Sequence, residues 1–236
     1  MTLKINPILC RKGTMDNCAY VIVDEQTSKA AIIDASETAP IVDFCEKNMI
    51  RPEFIFTTHH HFDHVGANMD LKQRYGLKIV GPDAEKSLIE GIDICVTNGQ
   101  EFSLGETKLS VISAPGHTKG HVLWYFENDK VLFTGDVLFN LCIGGLFEGT
   151  PEQMFLSLNK IKNLPDDVMF YPGHEYTRHC ISSLLRNESE YAKKYAQIAL
   201  DRLEHQVFVA PISLGLEKKC NPYLLIDNLK DFSRLF

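Results

Sequence analysis

Thr57-Thr-His-His-His-Phe-Asp-His64 decides the reading of this chain, because it packs four imidazoles and one carboxylate into six residues. A cluster of that density is costly to bury without a compensating charge. Neutral imidazole and carboxylate are the donors that zinc, iron and manganese accept. The stretch follows Phe54 to Thr57, which reads as a buried strand, and precedes Asn68 to Tyr75, which reads as a helix ended by Gly76. It is therefore expected in a loop at a strand's C-terminal end. From such a loop His59 and His61 can converge on one metal while Asp63 and His64 turn toward a second. His60 points away from its neighbours if the backbone is extended, and is left out of both sets.

One segment cannot complete two coordination spheres. Three more candidates stand at the ends of later predicted strands: His117 in Ala114-Pro-Gly-His-Thr118, Asp136 in Phe133-Thr-Gly-Asp136, and His174 in Tyr171-Pro-Gly-His-Glu-Tyr-Thr177. Each follows a glycine, which allows the backbone to aim a side chain into a shared cleft.

Working outward, Lys4 to Leu9, Ala19 to Val23 and Ala30 to Ile33 read as strands, with Ile41 to Asn48 a helix. Lys78 to Val80, Lys108 to Ser113, Val122 to Phe126 and Val131 to Phe133 continue the strand pattern. From Pro151 the pattern changes. Glu152 to Ile161 reads as a helix, Val168 to Tyr171 as a last strand, and Arg178 to His205 as helical with a break near Asn187. The expectation is a layered α/β domain over residues 1–173 and a helical substrate-binding subdomain over 174–236.

The 236 residues carry 24 Lys and Arg against 31 Asp and Glu, a net charge of −7. No basic run offers a footprint for nucleic acid or an anionic membrane. No segment reaches the ~20 apolar residues of a membrane span, and the N-terminus lacks the pattern of a signal peptide. Seven cysteines at positions 10, 18, 45, 95, 142, 180 and 220 form no close pair in sequence, so reduced thiols are expected, and with them the cytoplasm. A monomer acting on a small molecule is the expected state.

The pattern T-H-x-H-x-D-H, followed by a single His, a single Asp and a further His, resembles the metallo-β-lactamase superfamily over essentially the whole chain. His117-Thr-Lys-Gly-His121, Gly135-Asp136 through Leu146-Phe-Glu-Gly-Thr150, and Gly173-His-Glu-Tyr-Thr177 resemble its glyoxalase II branch, hydroxyacylglutathione hydrolase. The resemblance implies an αββα sandwich with a helical C-terminal region. It implies two divalent metals, zinc with iron or manganese as alternatives, and hydrolysis of a thioester such as S-D-lactoylglutathione. His59, His61 and His117 would hold the first metal, Asp63, His64 and His174 the second, and Asp136 would bridge them. On this resemblance Asp63 and Asp136 would be the catalytic carboxylates. Because a carboxylate bound to a cation is a weak base, Asp63 is assigned first as a ligand.

Around this set, Asp34 is either an acceptor that orients a ligand imidazole or a turn aspartate. His121 is expected as a core histidine at a strand start, Cys142 as a small buried residue near the cleft, and His179 and His205 as solvated. On the substrate side, Tyr176 can donate a hydroxyl. The branch usually has a basic residue where Gly145 stands, a Tyr where Phe147 stands, and an Arg after an Asn-Pro-aromatic segment, here Asn221-Pro-Tyr223 followed by Leu224 and Leu225. Lys119, Arg178, Lys218, Lys219 and Lys230 are the spare cations. A thiol other than glutathione, or persulfide oxidation at a single iron, are the rival chemistries.

Overall fold

Period-2 alternation inside strands that are buried on both faces builds this molecule. In the computed structural model, which describes residues 2–184, 189–205 and 208–236, β2 (Asn17–Asp24) sends Tyr20 and Ile22 to one core and Ala19 and Val21 to another. The first sheet runs β1 (Leu3–Cys10), β2, β3 (Ala30–Ile33), β4 (Pro52–Phe56), β5 (Lys78–Pro82) and β6 (Ile94–Val96). Its first three strands are antiparallel neighbours, and β3 through β6 are parallel. Parallel neighbours need crossovers. These are α1 (Thr38–Lys47) between β3 and β4, then α2 (Phe62–Val65) and α3 (Asn68–Tyr75) between β4 and β5.

The second sheet contains β7 (Glu101–Leu104), β8 (Thr107–Ser113), β9 (Val122–Phe126) and β10 (Val131–Gly135), then β13 (Met169–Pro172) and β14 (Ile212–Ser213). A two-stranded piece, β11 (Leu138–Phe139) and β12 (Cys142–Ile143), stands apart. Phe56, Val80, Val111, Trp124, Phe126 and Phe133 fill the space between the sheets. Ile41, Cys45 and Leu71 of α1 and α3 cover the outer face of the first sheet. α4 (Pro151–Lys162), opened by a capping box between Thr150 and Gln153, covers the second. These layers are the expected αββα sandwich.

After β13 come α5 (Thr177–Leu184), α6 (Glu190–His205), α7 (Leu214–Cys220) and α8 (Leu229–Ser233). The expected break near Asn187 lies outside the described residues. The C-terminal segment is helical, as read, and shares one continuous core with the second sheet: Tyr195, Ala199 and Leu216 pack with Leu123, Leu132 and Phe170. β14 also pairs with β13. The boundary near Gly173 thus crosses shared packing. Among the described residues no helix is long and apolar enough to cross a membrane.

Two expectations change in detail. The His-rich stretch is not all loop, because Phe62–Val65 winds into the turn of α2, which sets Asp63 and His64 back toward the cleft. The short strands β6, β7, β11, β12 and β14 were not read from the sequence. At two to four residues they leave little periodicity to see.

Candidate metal centre

Five segments end at one edge of the sandwich: Asp34 after β3, Thr57 to His64 after β4, His117 after β8, Asp136 after β10 and His174 after β13. The edge is held shut by backbone bonds, with Cys18 N donating to Gly173 O and Gly173 N to Gly135 O, both at 2.8 Å. Gly173 is required by close approach. A Cβ there would lie 2.3 Å from Asp136 Oδ1 and 2.8 Å from the His64 ring. Gly135 combines φ of 46° with a Cβ direction aimed at the His121 ring at 2.6 Å.

The donors collect into two trios, His59 with His61 and His117, and Asp63 with His64 and His174. In the first, His61 Nδ1 lies 3.1 Å from His59 Nε2 and 2.9 Å from His117 Nε2. In the second, His174 Nε2 lies 3.3 Å from His64 Nε2 and 3.4 Å from Asp63 Oδ2. Asp136 stands between them. Its Oδ2 is 3.4 Å from His117 Nε2 and 3.2 Å from His174 Nε2, and its Oδ1 is 3.2 Å from His64 Nε2.

The far side of each ring sets its tautomer. Thr58 Oγ1 donates to Asp34 Oδ2 at 2.8 Å, leaving it to accept from His59 Nδ1 at 3.0 Å. Asp34 Oδ2 also accepts from His64 Nδ1 at 3.0 Å. His117 Nδ1 donates to Gly145 O, and His174 Nδ1 to Met15 O, each at 2.8 Å. With protons held outward on four rings, lone pairs face lone pairs across the trios. That arrangement repels itself unless positive charge lies between, from protons on His64 and His174 in the metal-free chain or from bound cations. Asp136 Oδ1 is buried without a hydrogen-bond partner, which also calls for positive charge. The residues present therefore fit divalent metals.

Charge balance within the cluster agrees. Burial opposes ionisation of Asp63, but hydrogen bonds from His174 and Asn17 and the charge of His64 outweigh it and hold the carboxyl well below its ordinary value. Asp136 is held low by His64 and His174 against the same burial penalty. Burial favours neutral His174, yet Asp136 and Asp63 push it up to about 9. Burial and neighbouring imidazoles keep His59, His61 and His117 below the ordinary histidine value. One trio is poor in negative charge and the other rich.

All seven predicted ligands meet here. Of the two readings of Asp34, the structure bears out the orienting one: it accepts from Thr58 N, Thr58 Oγ1 and His64 Nδ1 at a positive φ of 52°. His121 is a buried histidine, as expected, and it also braces the central carboxylate. Its Nε2 accepts from Asp136 N at 3.1 Å while its ring stacks on His59 at 4.8 Å. His60 stays outside both trios. It bridges Glu85 at 2.8 Å and Glu148 at 3.1 Å. Sequence reasoning missed Glu85 and Asn17. Buried Glu85 also accepts from Thr118 and Gly120, tying the two ligand loops together, and Asn17 donates to Asp63 Oδ2 at 2.9 Å. Neither stands beside a motif, and only the fold brings them in.

A cleft of about 450 Å³ opens onto the cluster, walled by Met15, Phe62, Phe139, Ile143 and Phe147 and by Tyr176. Tyr176 stacks on His174 with ring centres 4.7 Å apart. Phe147 is 73% exposed and leans on His61 and His117. Gly145 and Cys142 line the same wall. None of the five spare cations does: Arg178 bonds Leu203 O, Lys218 bonds Leu164 O and Asp166, and Lys219 lies over Tyr191.

An αββα sandwich with a His trio, an Asp/His trio and an Asp between them at its edge defines a class of metal-dependent proteins, and the chain belongs to the metallo-β-lactamase superfamily, whose family model matches residues 14–174. Relatives narrow the branch. The chain is 43% identical to the hydroxyacylglutathione hydrolase of Brucella ovis over 225 residues, which is 94% of this chain and 86% of that protein. Among solved structures, the BLEG-1 B3 metallo-β-lactamase superposes with a TM-score of 0.73 at 24% identity, over 94% of this chain and 99% of that one. ETHE1 from Myxococcus xanthus follows at 0.72 and 22%, over 98% and 89%. These two share the fold.

Proposed function

We propose that this chain is a binuclear metal-dependent thioester hydrolase that cleaves S-(2-hydroxyacyl)glutathione, such as S-D-lactoylglutathione, to glutathione and a hydroxy acid. The observation that carries the reading is Asp136 Oδ2 facing His117 Nε2 at 3.4 Å and His174 Nε2 at 3.2 Å, one from each trio. The name of the 43% identical relative supports the substrate. His59, His61 and His117 would hold one cation and Asp63, His64 and His174 the other, with Asp136 facing both trios. Zinc suits this nitrogen-rich set, with iron or manganese as alternatives. Bound there, a pair of such cations supplies a hydroxide-strength nucleophile at neutral pH and polarises a carbonyl.

The chain's own groups do the rest. Asp34, Thr58, Gly145 O and Met15 O hold protons on the outer ring nitrogens, so the inner lone pairs keep their direction through the reaction. Asn17 fixes one oxygen of Asp63. Phe62, Phe139 and Phe147 give the cleft an apolar wall beside the scissile bond. Tyr176, held flat on His174, presents its hydroxyl to the substrate. The substrate is a small molecule. The net charge of −7 argues against nucleic acid and anionic membrane as partners, and the enzyme works as a cytoplasmic monomer.

A second reading, a thioester of another thiol, is favoured by one observation: among the described residues, those lining the cleft include no Lys or Arg to meet the carboxylates of glutathione. The deciding experiment purifies the chain with its native metals, counts them, and follows S-D-lactoylglutathione hydrolysis beside Asp136→Ala. About two metals with turnover lost in the variant supports the glutathione reading. Two metals without turnover moves the search to other thiols, and a single iron with persulfide oxidation supports the dioxygenase.

A further inference from the structure

Cys142 and Cys180 are 38 residues apart in sequence, and their sulfurs meet at 2.8 Å. That is inside van der Waals contact and within about 1 Å of the ~2.05 Å of a disulfide bond. Cys142 opens β12 and lines the catalytic cleft beside Ile143, Gly144 and Gly145. Cys180 sits in the first turns of α5, directly after the wall residue Tyr176. Both are half-buried, so a small oxidant reaches them, whereas Cys10, Cys18, Cys45 and Cys220 are buried.

We propose that Cys142 and Cys180 are a dithiol modification site that a hydroperoxide closes into a reversible disulfide, fastening the cleft wall to α5. The two sulfurs differ in readiness. Their contact raises the Cys142 thiol and lowers Cys180. Cys180 is thereby the attacking thiolate. It takes the proximal peroxide oxygen, the O–O bond breaks, and the distal oxygen leaves as water or alcohol after gaining a proton, giving a sulfenic acid. The Cys142 sulfur then attacks that sulfur. The S–O bond breaks, and the departing hydroxide takes the Cys142 proton to leave as water. Two thiols give up two electrons and two protons, and the peroxide accepts both.

The bond would reach the metal centre through short links. Gly145, three residues beyond Cys142, accepts from His117 Nδ1 at 2.8 Å. The Cys142 carbonyl accepts from Asn221 Nδ2 at 3.1 Å, so the same point is already tied to the C-terminal helices. Closing it removes freedom from a long loop of the unfolded chain.

The full metal-loaded chain is treated with hydrogen peroxide, or with diamide as a thiol-specific oxidant, and digested without reduction for peptide mass mapping. The expected result is one cross-linked peptide pair joining Cys142 to Cys180, a mass loss of two hydrogens, and a Tm higher by roughly 5 to 10 °C that dithiothreitol reverses. Cys142→Ser and Cys180→Ser should each lose all three signals. The proposal is overturned if wild type gains oxygen on either sulfur without the cross-link, if disulfides form only between chains through exposed Cys95, or if either variant keeps the two-hydrogen loss.

Discussion

Two buried polar clusters flank the cleft, and they solve opposite problems. At the sheet edge, Asp63 and Asp136 sit among imidazoles that hold both carboxyls far below their ordinary values. Behind the wall that carries Cys142, Glu217 of α7 accepts from Leu141 N at 2.7 Å, Asn221 Nδ2 at 2.8 Å and Tyr195 Oη at 2.6 Å, with no cation among these described partners. Burial there outweighs those three donors and pushes Glu217 up to about 7. The first cluster is arranged to keep negative charge for a metal. The second disfavours it, and the raised carboxyl clamps the backbone that leads into Cys142. The lesson is that burial alone does not define a site, since the sign of the compensating charge does.

Asp136→Ala tests the first half of the contrast most severely. Removing the one carboxylate shared by both trios is expected to lower kcat by at least roughly 10²- to 10³-fold. Metal content per chain, measured by elemental analysis, should fall with it. Full metal content with full turnover would show that the trios do not depend on a bridge.

At Glu217 the sign is reversed. Its folded value of about 7 exceeds the ordinary 4.5, so between these pH values the folded state holds a proton that the unfolded state has lost. Its contribution is therefore complete below about 4.5 and declines as pH rises toward 7. The span amounts to about 3 kcal/mol. Urea melts from pH 4.5 to 8 should show that slope in the metal-free wild type and a flatter one in Glu217→Gln. Parallel slopes would place the proton elsewhere.

Asp34→Ala should weaken metal binding by about 10- to 100-fold while the fold persists, because His64 and Thr58 lose their shared acceptor. Competition with a chelating dye measures it, and an unchanged affinity would return Asp34 to the role of a turn residue. The smallest effect is expected at Gly145→Lys. A Cβ there meets only the Phe147 ring at 3.5 Å, an ordinary contact, so the side chain fits. A cation at this rim should lower KM for a glutathione thioester by about two- to five-fold with kcat unchanged, in proportion to a solvent-exposed ion pair. No change in KM would mean that glutathione's carboxylates do not pass this wall.

Much of the metal centre was legible in advance. Thr57 to His64 is local, its residue types have few other uses at that density, and the later His and Asp each sit at a strand end. The residues around it were less so. Asp34 could not be told from a turn aspartate, His121 showed no sign of its bond to Asp136 N, and Asn17 and Glu85 carried no signal. Their roles depend on which strands become neighbours. In the fold, the longer strands and α1, α3 and α4 were readable from periodicity, whereas two-residue strands such as β11 and β14 were not.

By itself the sequence determined the donor set, the strand ends from which it projects and the layered α/β class, since ligand chemistry and hydrophobic period are properties of consecutive residues. Only the tertiary structure decided which ring nitrogen faces inward, which carboxyls are held low and which is raised, and that Cys142 meets Cys180. Hydrogen-bond partners and local dielectric are set by groups distant in sequence, and those become neighbours only when the two sheets and the C-terminal helices close around one core.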